Sequence, residues 1–180
     1  SFTLNNTYFA QWVDPDLGFA TDDFVGCDVG RGLGYCYNGV AVDGSGGPQH
    51  YGANPPAVGI DFFEGPYQDN DLIDNAYGIG PNEALNGLGY GDGVIDNERY
   101  GMRRFIYHNN SGGGGNPAQT DPSTGTDHYN YLRGIWLDNT IMCYGGSGHP
   151  SGGGDASVPA QFMFPGDTDP LGWGTGGSQQ

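Results

Sequence analysis

The chain has 180 residues, of which 21 are acidic and only 5 are basic, so its formal net charge is −16. A charge of this sign and size excludes binding to nucleic acid and to anionic membrane surfaces, because both rest on Lys and Arg side chains that neutralise phosphates. The sequence has no apolar window of about 18 residues, which is the minimum for a membrane-spanning helix. We therefore expect neither nucleic-acid binding nor membrane insertion.

Glycine and aromatic residues dominate the composition. Gly occurs 36 times, while hydrophobic residues make up 36% of the chain and aromatic residues 13%. Because an interior glycine destabilises a helix by about 1 kcal/mol, long helices are not expected. The length suits one domain over residues 1–180 with a core built largely from aromatic rings.

The first half of the chain predicts short strands separated by polar loops. Strands favour β-branched and aromatic residues, whereas clusters of Gly and Pro favour loops. The predicted elements are a strand or strand pair at 3–13, two short strands within 24–37 around Gly30-Arg31-Gly32, a loop at 43–56 and a strand at 57–63.

The second half begins with a long polar stretch at residues 68–98, in which we expect no regular element beyond a short turn near 81–85. A loop of this length inside a compact domain is either disordered or organised by a ligand. The later predicted elements are a core strand at 99–108, a helix at 127–136 capped by Thr126 or Asp127, a strand at 140–144 and an apolar run at 161–164. The predicted fold is mainly β, with sandwich-like antiparallel sheets, long Gly- and Asp-rich loops and one short helix.

The type of acid points to cations. Glu64, Glu83 and Glu98 are the only glutamates, so the other eighteen acids are Asp. Short Asp side chains favour turns and hard-cation sites, and Ca²⁺ takes six to eight oxygen ligands from such groups and from backbone carbonyls. Each bound Ca²⁺ would also relieve the self-repulsion of a chain at net −16.

Three acid-rich stretches are the candidate calcium-binding segments. In the first, the acids follow one another at intervals of six residues or fewer, and the second and third lie within the long polar stretch. The candidate ligands are Asp14, Asp16, Asp22, Asp23 and Asp28 in the first, Asp69, Asp71 and Asp74 in the second, and Asp92, Asp96 and Asn97 in the third.

The second and third stretches resemble the calcium loops of thrombospondin type 3 and dockerin-like repeats. The third departs from that pattern, because Leu88 and Tyr90 occupy the positions of the first two acids and Arg99 occupies that of the bidentate carboxylate. In the second, Leu72 replaces the usual glycine. Any ion must therefore take ligands from elsewhere in the chain. The alternative is that these acids cap turns through neighbouring backbone amides.

Other chemistry has weaker signals. The four His residues are scattered, no Gly-x-Ser-x-Gly motif occurs, and we assign no catalytic residue. A carboxylate pair for glycoside hydrolysis stays open, and Glu64, which follows Asp61 at a predicted strand end, is the best single candidate for its acid. Cys27 and Cys36 either form a disulfide or, together with Cys143, are buried free thiols.

The aromatic residues that could stack on sugars are Trp12, Tyr67, Tyr90, Trp136 and Trp173.

Several longer motifs carry a family resemblance. They are Trp12-Val-Asp-Pro-Asp-Leu-Gly18, Asp22-Asp-Phe-Val-Gly-Cys-Asp28, Leu33-Gly-Tyr-Cys-Tyr-Asn-Gly39, Pro55-Pro-Ala-Val-Gly-Ile-Asp-Phe-Phe-Glu-Gly-Pro66, Gly91-Asp-Gly-Val-Ile-Asp-Asn-Glu-Arg-Tyr-Gly101 and Pro165-Gly-Asp-Thr-Asp-Pro170. Together they resemble a region of large secreted Bacteroidota proteins that end in a type IX secretion sorting domain. The resemblance implies a secreted or cell-surface location and a larger multidomain parent, and it brings no catalytic residue with it.

The sequence thus favours a non-catalytic, calcium-binding extracellular module for surface adhesion or glycan contact. Two alternatives stay open: a self-assembling subunit of an extracellular filament or surface layer, and a secreted polysaccharide hydrolase or its accessory domain. The expected partners are calcium and either glycans or further copies of the chain.

Overall fold

The computed structural model describes residues 4–68, 70–78, 83–84, 86–112, 115–168 and 174–175. Regular structure in these ranges consists mainly of short strands. In chain order the elements are β1 (Asp23–Asp28), β2 (Leu33–Asn38), β3 (Val42–Asp43), β4 (Gly52–Ala53), β5 (Ala57–Asp61), β6 (Gly87–Leu88), β7 (Arg99–Tyr100), α1 (Gly125–Leu132), β8 (Cys143–Tyr144) and β9 (Asp155–Pro159). Single turns of 3₁₀ helix occur at Ala20–Asp22, Pro117–Gln119, Pro150–Gly152 and Gly166–Thr168.

The largest sheet is antiparallel and three-stranded, with β2 in the centre between β1 and β5. β1 and β2 form the hairpin predicted around Gly30-Arg31-Gly32. At Gly34 the sheet comes so close to Phe105 that an added Cβ would lie 2.7 Å from the ring. The missing side chain therefore lets Phe105 pack directly on the sheet.

The remaining strands form two-stranded antiparallel sheets: β3 with β4, β6 with β7, and β8 with β9. The prediction of a mainly β fold with antiparallel sheets and one short helix is confirmed. Because these sheets have only two or three strands each, their arrangement as a sandwich stays a prediction.

The core lies between the large sheet and the C-terminal half. Its larger cluster contains the buried residues Ala118, Tyr131, Trp136, Met142, Ala160, Met163 and Phe164. A smaller cluster of Cys27, Val29 and Phe162 lies against β1. Phe105 packs against both clusters, so it joins the sheet to the region around α1.

The helix is shorter than predicted, and it begins earlier. Its N-cap is Thr124, whose hydroxyl accepts a hydrogen bond from the Asp127 backbone N–H at 3.2 Å, while the Asp127 carboxylate accepts from the Thr124 N–H. The predicted caps, Thr126 and Asp127, were therefore wrong. The helix ends at Leu132, and the chain changes direction at Gly134, which has φ +70°. Trp136 therefore lies in the core rather than on the face of the helix.

Two predicted strands were wrong or too long. Residues 4–13 form no strand and are exposed, and Phe9 contacts the ring of Phe62, which follows β5, without any strand pairing. The strand predicted at 99–108 is reduced to β7 and an isolated bridge at Phe105. Conversely, β6 lies in the stretch predicted to be irregular, and the exposed β9 had no hydrophobic pattern that could reveal it.

All three cysteines are buried free thiols. In the hairpin Cys27 lies opposite Gly34 and Cys36 opposite Val25, so the two cysteines are diagonal rather than paired. Burial raises the pKa of Cys36 to about 11, and nearby Asp23 and Asp16 add to the effect. Of the two alternatives that the sequence left open, the structure shows the free thiols.

Candidate cation sites

The β1–β2 hairpin positions the first group of oxygens. Asp23 at the start of β1 lies directly opposite Asn38 at the end of β2, and residues paired in this way project from the same face of a sheet. Asp22 precedes Asp23, and its backbone carbonyl accepts a hydrogen bond from the Gly39 N–H at 2.7 Å. The strand pairing thus brings two adjacent carboxylates to one amide. We call Asp22, Asp23 and Asn38 the hairpin site.

Backbone amides fix one oxygen of each carboxylate at the hairpin site. The Leu17 N–H donates to Asp23 Oδ2 at 2.8 Å, and the Gly44 N–H donates to Asp22 Oδ2 at 3.0 Å. The second oxygen of each, Oδ1, is buried and has no hydrogen-bond partner, and the same is true of Asn38 Oδ1. The three residues therefore offer three buried acceptor oxygens that no protein donor satisfies.

Asp43 lies beside this site and was not identified from the sequence. It is fully buried, and it accepts hydrogen bonds from the Phe19 N–H at 2.8 Å and from the Tyr51 N–H. Burial alone would raise the pKa of Asp43, but these two N–H groups and the neighbouring His50 hold the pKa below its ordinary value. Asp43 is therefore a fixed negative charge at this end of the sheet.

The electrostatic environment of Asp23 is unfavourable for its own ionisation. Burial raises the pKa of Asp23, the Leu17 N–H opposes that shift, and the charges of Asp22, Asp43 and Asp16 raise the pKa further. None of the four ion pairs found in the described part of the chain involves these acids. Among the described residues, Asp22 and Asp23 are therefore not paired with a basic side chain.

The other predicted residues of the first stretch lie elsewhere. Asp16 is exposed but near enough to act on Asp23, whereas Asp14 is exposed and takes no part in these hydrogen bonds. Asp28 is at the far end of β1, where its carboxylate forms an ion pair with Arg31 at 2.5 Å. Asn38 and Asp43 were missed because neither stands in an acid-rich motif.

The second and third stretches, predicted as separate loops, contact each other. The Gly91 and Gly93 N–H groups donate to the two oxygens of Asp74 at 2.8 and 2.7 Å. Asp96 Oδ1 accepts from the Leu72 N–H at 2.9 Å. We call the contact between residues 70–75 and 91–98 the two-loop junction. Asp69, the remaining candidate ligand, lies outside the described residues.

Some acids of this junction cap turns through neighbouring backbone amides, which is the alternative to calcium binding given above. Asp92 accepts from the Val94 N–H at 2.8 Å and from Asn97 Nδ2 at 3.0 Å, and Asp71 accepts from the Ile73 N–H at 3.0 Å. These bonds between neighbouring residues are those of Asx turns. Asp71 and Asp92 therefore shape their own loops whether or not an ion is bound.

Arg99 does not enter the junction, although the repeat pattern would place a carboxylate at its position. Its guanidinium pairs with Glu64 at 3.0 Å and lies 3.8 Å from the centre of the Tyr67 ring. The buried carboxylate nearby is that of Glu98, whose Oε1 accepts from the Asn75 N–H at 2.6 Å. Glu98 was not among the candidate ligands predicted from the sequence.

The hydrolase candidates Asp61 and Glu64 line a cleft of about 260 Å³ beside the end of β5. Arg31, Phe63 and Tyr100 also line it. Glu64 forms an ion pair with Arg99 at 3.0 Å. Of the aromatic candidates, Tyr90 and Trp136 are buried, Trp12 and Tyr67 are exposed, and Trp173 lies outside the described residues.

A Ser-His-Asp arrangement is also present, and in it His149 caps a 3₁₀ turn. His149 Nε2 lies 3.0 Å from Asp138 Oδ2, and its Nδ1 lies 2.8 Å from Ser151 Oγ and accepts from the Ser151 N–H at 3.1 Å. The N–H groups of residues 152–154 bond to the carbonyls of His149 and Pro150. No pair of N–H groups is left in this segment for an oxyanion, so His149 serves as the cap of the 3₁₀ turn.

Comparison with known proteins gave no match among protein-family models, curated proteins or solved structures. In the part of the chain that the structure describes, no helix has the length and apolarity needed to cross a membrane. Within the same ranges, no group of three or more His, Cys, Asp and Glu side chains is placed to hold a metal ion. Any cation site must therefore combine fewer carboxylates with amide, carbonyl or water oxygens.

Proposed function

We propose that this chain is a non-catalytic, calcium-binding extracellular module that serves in surface adhesion or glycan contact. One observation carries the calcium proposal: three buried oxygens of the hairpin site, on Asp22, Asp23 and Asn38, have no hydrogen-bond partner. Leaving a buried acceptor unsatisfied costs about 1–3 kcal/mol, so three of them at one place favour a ligand that satisfies all three.

Calcium suits these oxygens better than other common metals. The hairpin site offers two carboxylates and one amide oxygen, with no sulfur or imidazole among the three residues, whereas zinc prefers Cys and His. Ca²⁺ accepts irregular sets of six to eight oxygens, which here would include backbone carbonyls and waters. A site with so few protein carboxylates fits the weak affinity of extracellular calcium modules, with dissociation constants of about 10⁻⁴–10⁻³ M.

Thermal unfolding with calcium and with chelator tests the proposal. Calcium at 100 times its dissociation constant stabilises a binding protein by about 2.7 kcal/mol, which for a chain of this size raises the Tm by about 5–10 °C. We expect Asp23→Asn to lose most of this increase, because it removes one of the two carboxylates. Asp14→Asn is the matched control from the same segment and should keep the full increase.

The opposite pattern would refute the hairpin site. If calcium leaves the Tm of the wild type unchanged, the chain is not calcium-stabilised. If the Tm increase survives in Asp23→Asn, the ion binds elsewhere, and the buried oxygens have another explanation.

The cleft beside β5 is the feature that supports glycan contact. Its lining combines carboxylate and guanidinium groups, which hydrogen-bond to sugar hydroxyls, with Phe63, whose ring is 86% exposed. Exposed aromatic rings beside planar polar groups are suited to stacking on a sugar face. At a net charge of −16, the chain favours neutral over acidic polysaccharides.

A further inference from the structure

The two-loop junction contains two almost fully buried polar side chains. Asn75 is 6% exposed and Glu98 is 2% exposed, and they meet through the hydrogen bond from the Asn75 N–H to Glu98 Oε1 at 2.6 Å. The Asn75 side-chain Nδ2 lies 3.3 Å from Asp71 Oδ2. Asn75 therefore contacts Glu98 of the facing loop through its backbone N–H and Asp71 of its own loop through its side-chain amide.

The other end of that amide lacks a donor. Asn75 Oδ1 is buried without a hydrogen-bond partner, and Asn97 Oδ1, on the facing loop, is in the same condition. A buried amide oxygen is normally satisfied by an N–H, by water or by a cation. The carboxylates that contact Asn75 do so through its backbone N–H and its Nδ2, so they leave Oδ1 without a donor.

No basic side chain neutralises the junction. Among the described residues, none of the ion pairs involves Asp71, Asp74, Asp92, Asp96 or Glu98. Arg99, the basic residue next to Glu98, is directed to Glu64 and Tyr67. Burying a carboxylate such as Glu98 is expensive unless a counter-charge is close, so the junction lacks a positive charge that its geometry requires.

We infer that the junction binds a second calcium ion, with Glu98, Asp71 and the side-chain oxygen of Asn75 as its protein ligands. These are two carboxylates and one amide oxygen, the same donor set as at the hairpin site. The remaining ligands are backbone carbonyls and waters, as is usual for Ca²⁺ in irregular loops. The inference rests on the proposed function for the identity of the ion, but its residues and observations are independent of the hairpin site.

This second ion would tie the two loops together. The ion would be the ligand that orders the long polar stretch at residues 68–98, because it would bind Asp71 and Asn75 of one loop and Glu98 of the other. Without the ion, the repulsion among these acids opposes the loop contact. Loss of calcium should therefore expose the peptide bonds after Leu72, Tyr77 and Leu88, whose side chains are already on the surface.

The test is calcium titration by calorimetry of the 180-residue chain and of single variants. Glu98→Gln keeps the size of the side chain and its acceptor for the Asn75 N–H but removes the charge. We expect it to bind one calcium equivalent fewer than the wild type, or to weaken that equivalent at least tenfold. Asp155→Asn, which alters an exposed carboxylate in β9 outside both proposed sites, is the control and should bind as the wild type does.

Limited chymotrypsin digestion gives a second, local readout. Wild-type protein should be cleaved within residues 72–90 at least tenfold faster in chelator than in calcium, and Glu98→Gln should be cleaved fast in both. If Glu98→Gln shows no cooperative unfolding transition, Asp71→Asn replaces it, since Asp71 is only partly buried. An unchanged stoichiometry and affinity in the folded variant would overturn the inference.

These experiments can refute each of the two proposed calcium sites independently of the other. Loss of one equivalent in Asp23→Asn alone would support the hairpin site and refute the junction, whereas loss in Glu98→Gln alone would do the reverse. Wild-type protein that binds no calcium refutes both.

Discussion

At the scale of single residues, the fold surrounds the Asp23 carboxylate with groups that disfavour its ionised form. Its carboxylate has one oxygen fixed by the Leu17 N–H and the other buried without a partner. Burial and the charges of Asp22, Asp43 and Asp16 together raise its pKa above the ordinary value of 3.8. In the absence of a cation, the ionised form of Asp23 therefore destabilises the fold.

The sign of this effect gives a pH prediction. A group with a raised folded-state pKa contributes stability that is present below its unfolded pKa and is lost as the pH rises through the folded pKa. In chelator at neutral pH, we expect Asp23→Asn to unfold at a higher temperature than the wild type, because Asn removes the charge and offers an N–H₂ to the unsatisfied oxygens. The difference should vanish near pH 3.

Calcium should reverse that order at neutral pH, since only the wild type has the Asp23 carboxylate that we propose binds the ion. Differential scanning calorimetry of both proteins, with and without calcium at each pH, checks the two signs together. A variant that is less stable than the wild type in chelator at neutral pH would contradict the raised pKa.

Prediction from the sequence reached only part of the two proposed sites, and the calcium chemistry itself stays a prediction. The excess of Asp over Glu favoured oxygen ligands, and Asp22 and Asp23 were named from one acid-rich stretch. Asn38 and Glu98 were not selected, because the contacts that make them candidates come from strand pairing and loop contact between residues distant in sequence.

At the scale of elements, α1 depends on its first turn. The helix has only eight residues, and isolated helices of this length are marginal, so its cap and its packing on the core decide whether it forms. The reciprocal hydrogen bonds between Thr124 and Asp127 satisfy two of the N–H groups that the first turn leaves open.

Removing the cap hydroxyl should destabilise the chain measurably. We expect Thr124→Ala to lower the free energy of unfolding by about 1 kcal/mol and the Tm by about 2–4 °C. Thr126→Ala, inside the same turn, is the control and should leave the Tm within about 1 °C, because Ala favours a helix interior. Equal losses in the two variants would show that Thr124 is not the cap.

One strand predicted from the sequence pattern is absent from the described residues. Residues 4–13 have strand-like composition, yet they form no strand. The β1–β2 hairpin was predicted correctly because its turn and both of its strands are contiguous. Local patterns thus predicted the elements that local contacts stabilise.

At the scale of the whole molecule, the cleft beside β5 exists only because distant segments meet. It is lined from the end of β5, from the β1–β2 turn and from residues 86–88 and 100–102. Glycines at the contact permit this approach: a Cβ at Gly65 would lie 1.8 Å from the carbonyl oxygen of Tyr100. The sequence could place Asp61 and Glu64 near a strand end but not the cleft around them.

A glycan array probed in the presence of calcium tests this cleft. We expect wild-type protein to bind neutral polysaccharides and Phe63→Ala to lose at least tenfold in affinity, because its exposed ring is the stacking surface. Tyr51→Ala removes an exposed aromatic ring that does not line the cleft and should bind normally. Equal binding by wild type and Phe63→Ala would show that glycans, if bound, use another surface.

The sequence by itself determined the charge, the mainly β character and the oxygen-rich chemistry, because these depend on composition and on short-range patterns. Only the tertiary structure decided which oxygens meet. In the fold, Asp14 and Asp28 lie away from the hairpin site, and the two loops of the junction contact each other. Arg99 pairs with Glu64 rather than with Glu98. The physical reason is that a calcium ion needs six to eight oxygens within about 2.6 Å, and such convergence is set by strand register and loop contact rather than by spacing along the chain.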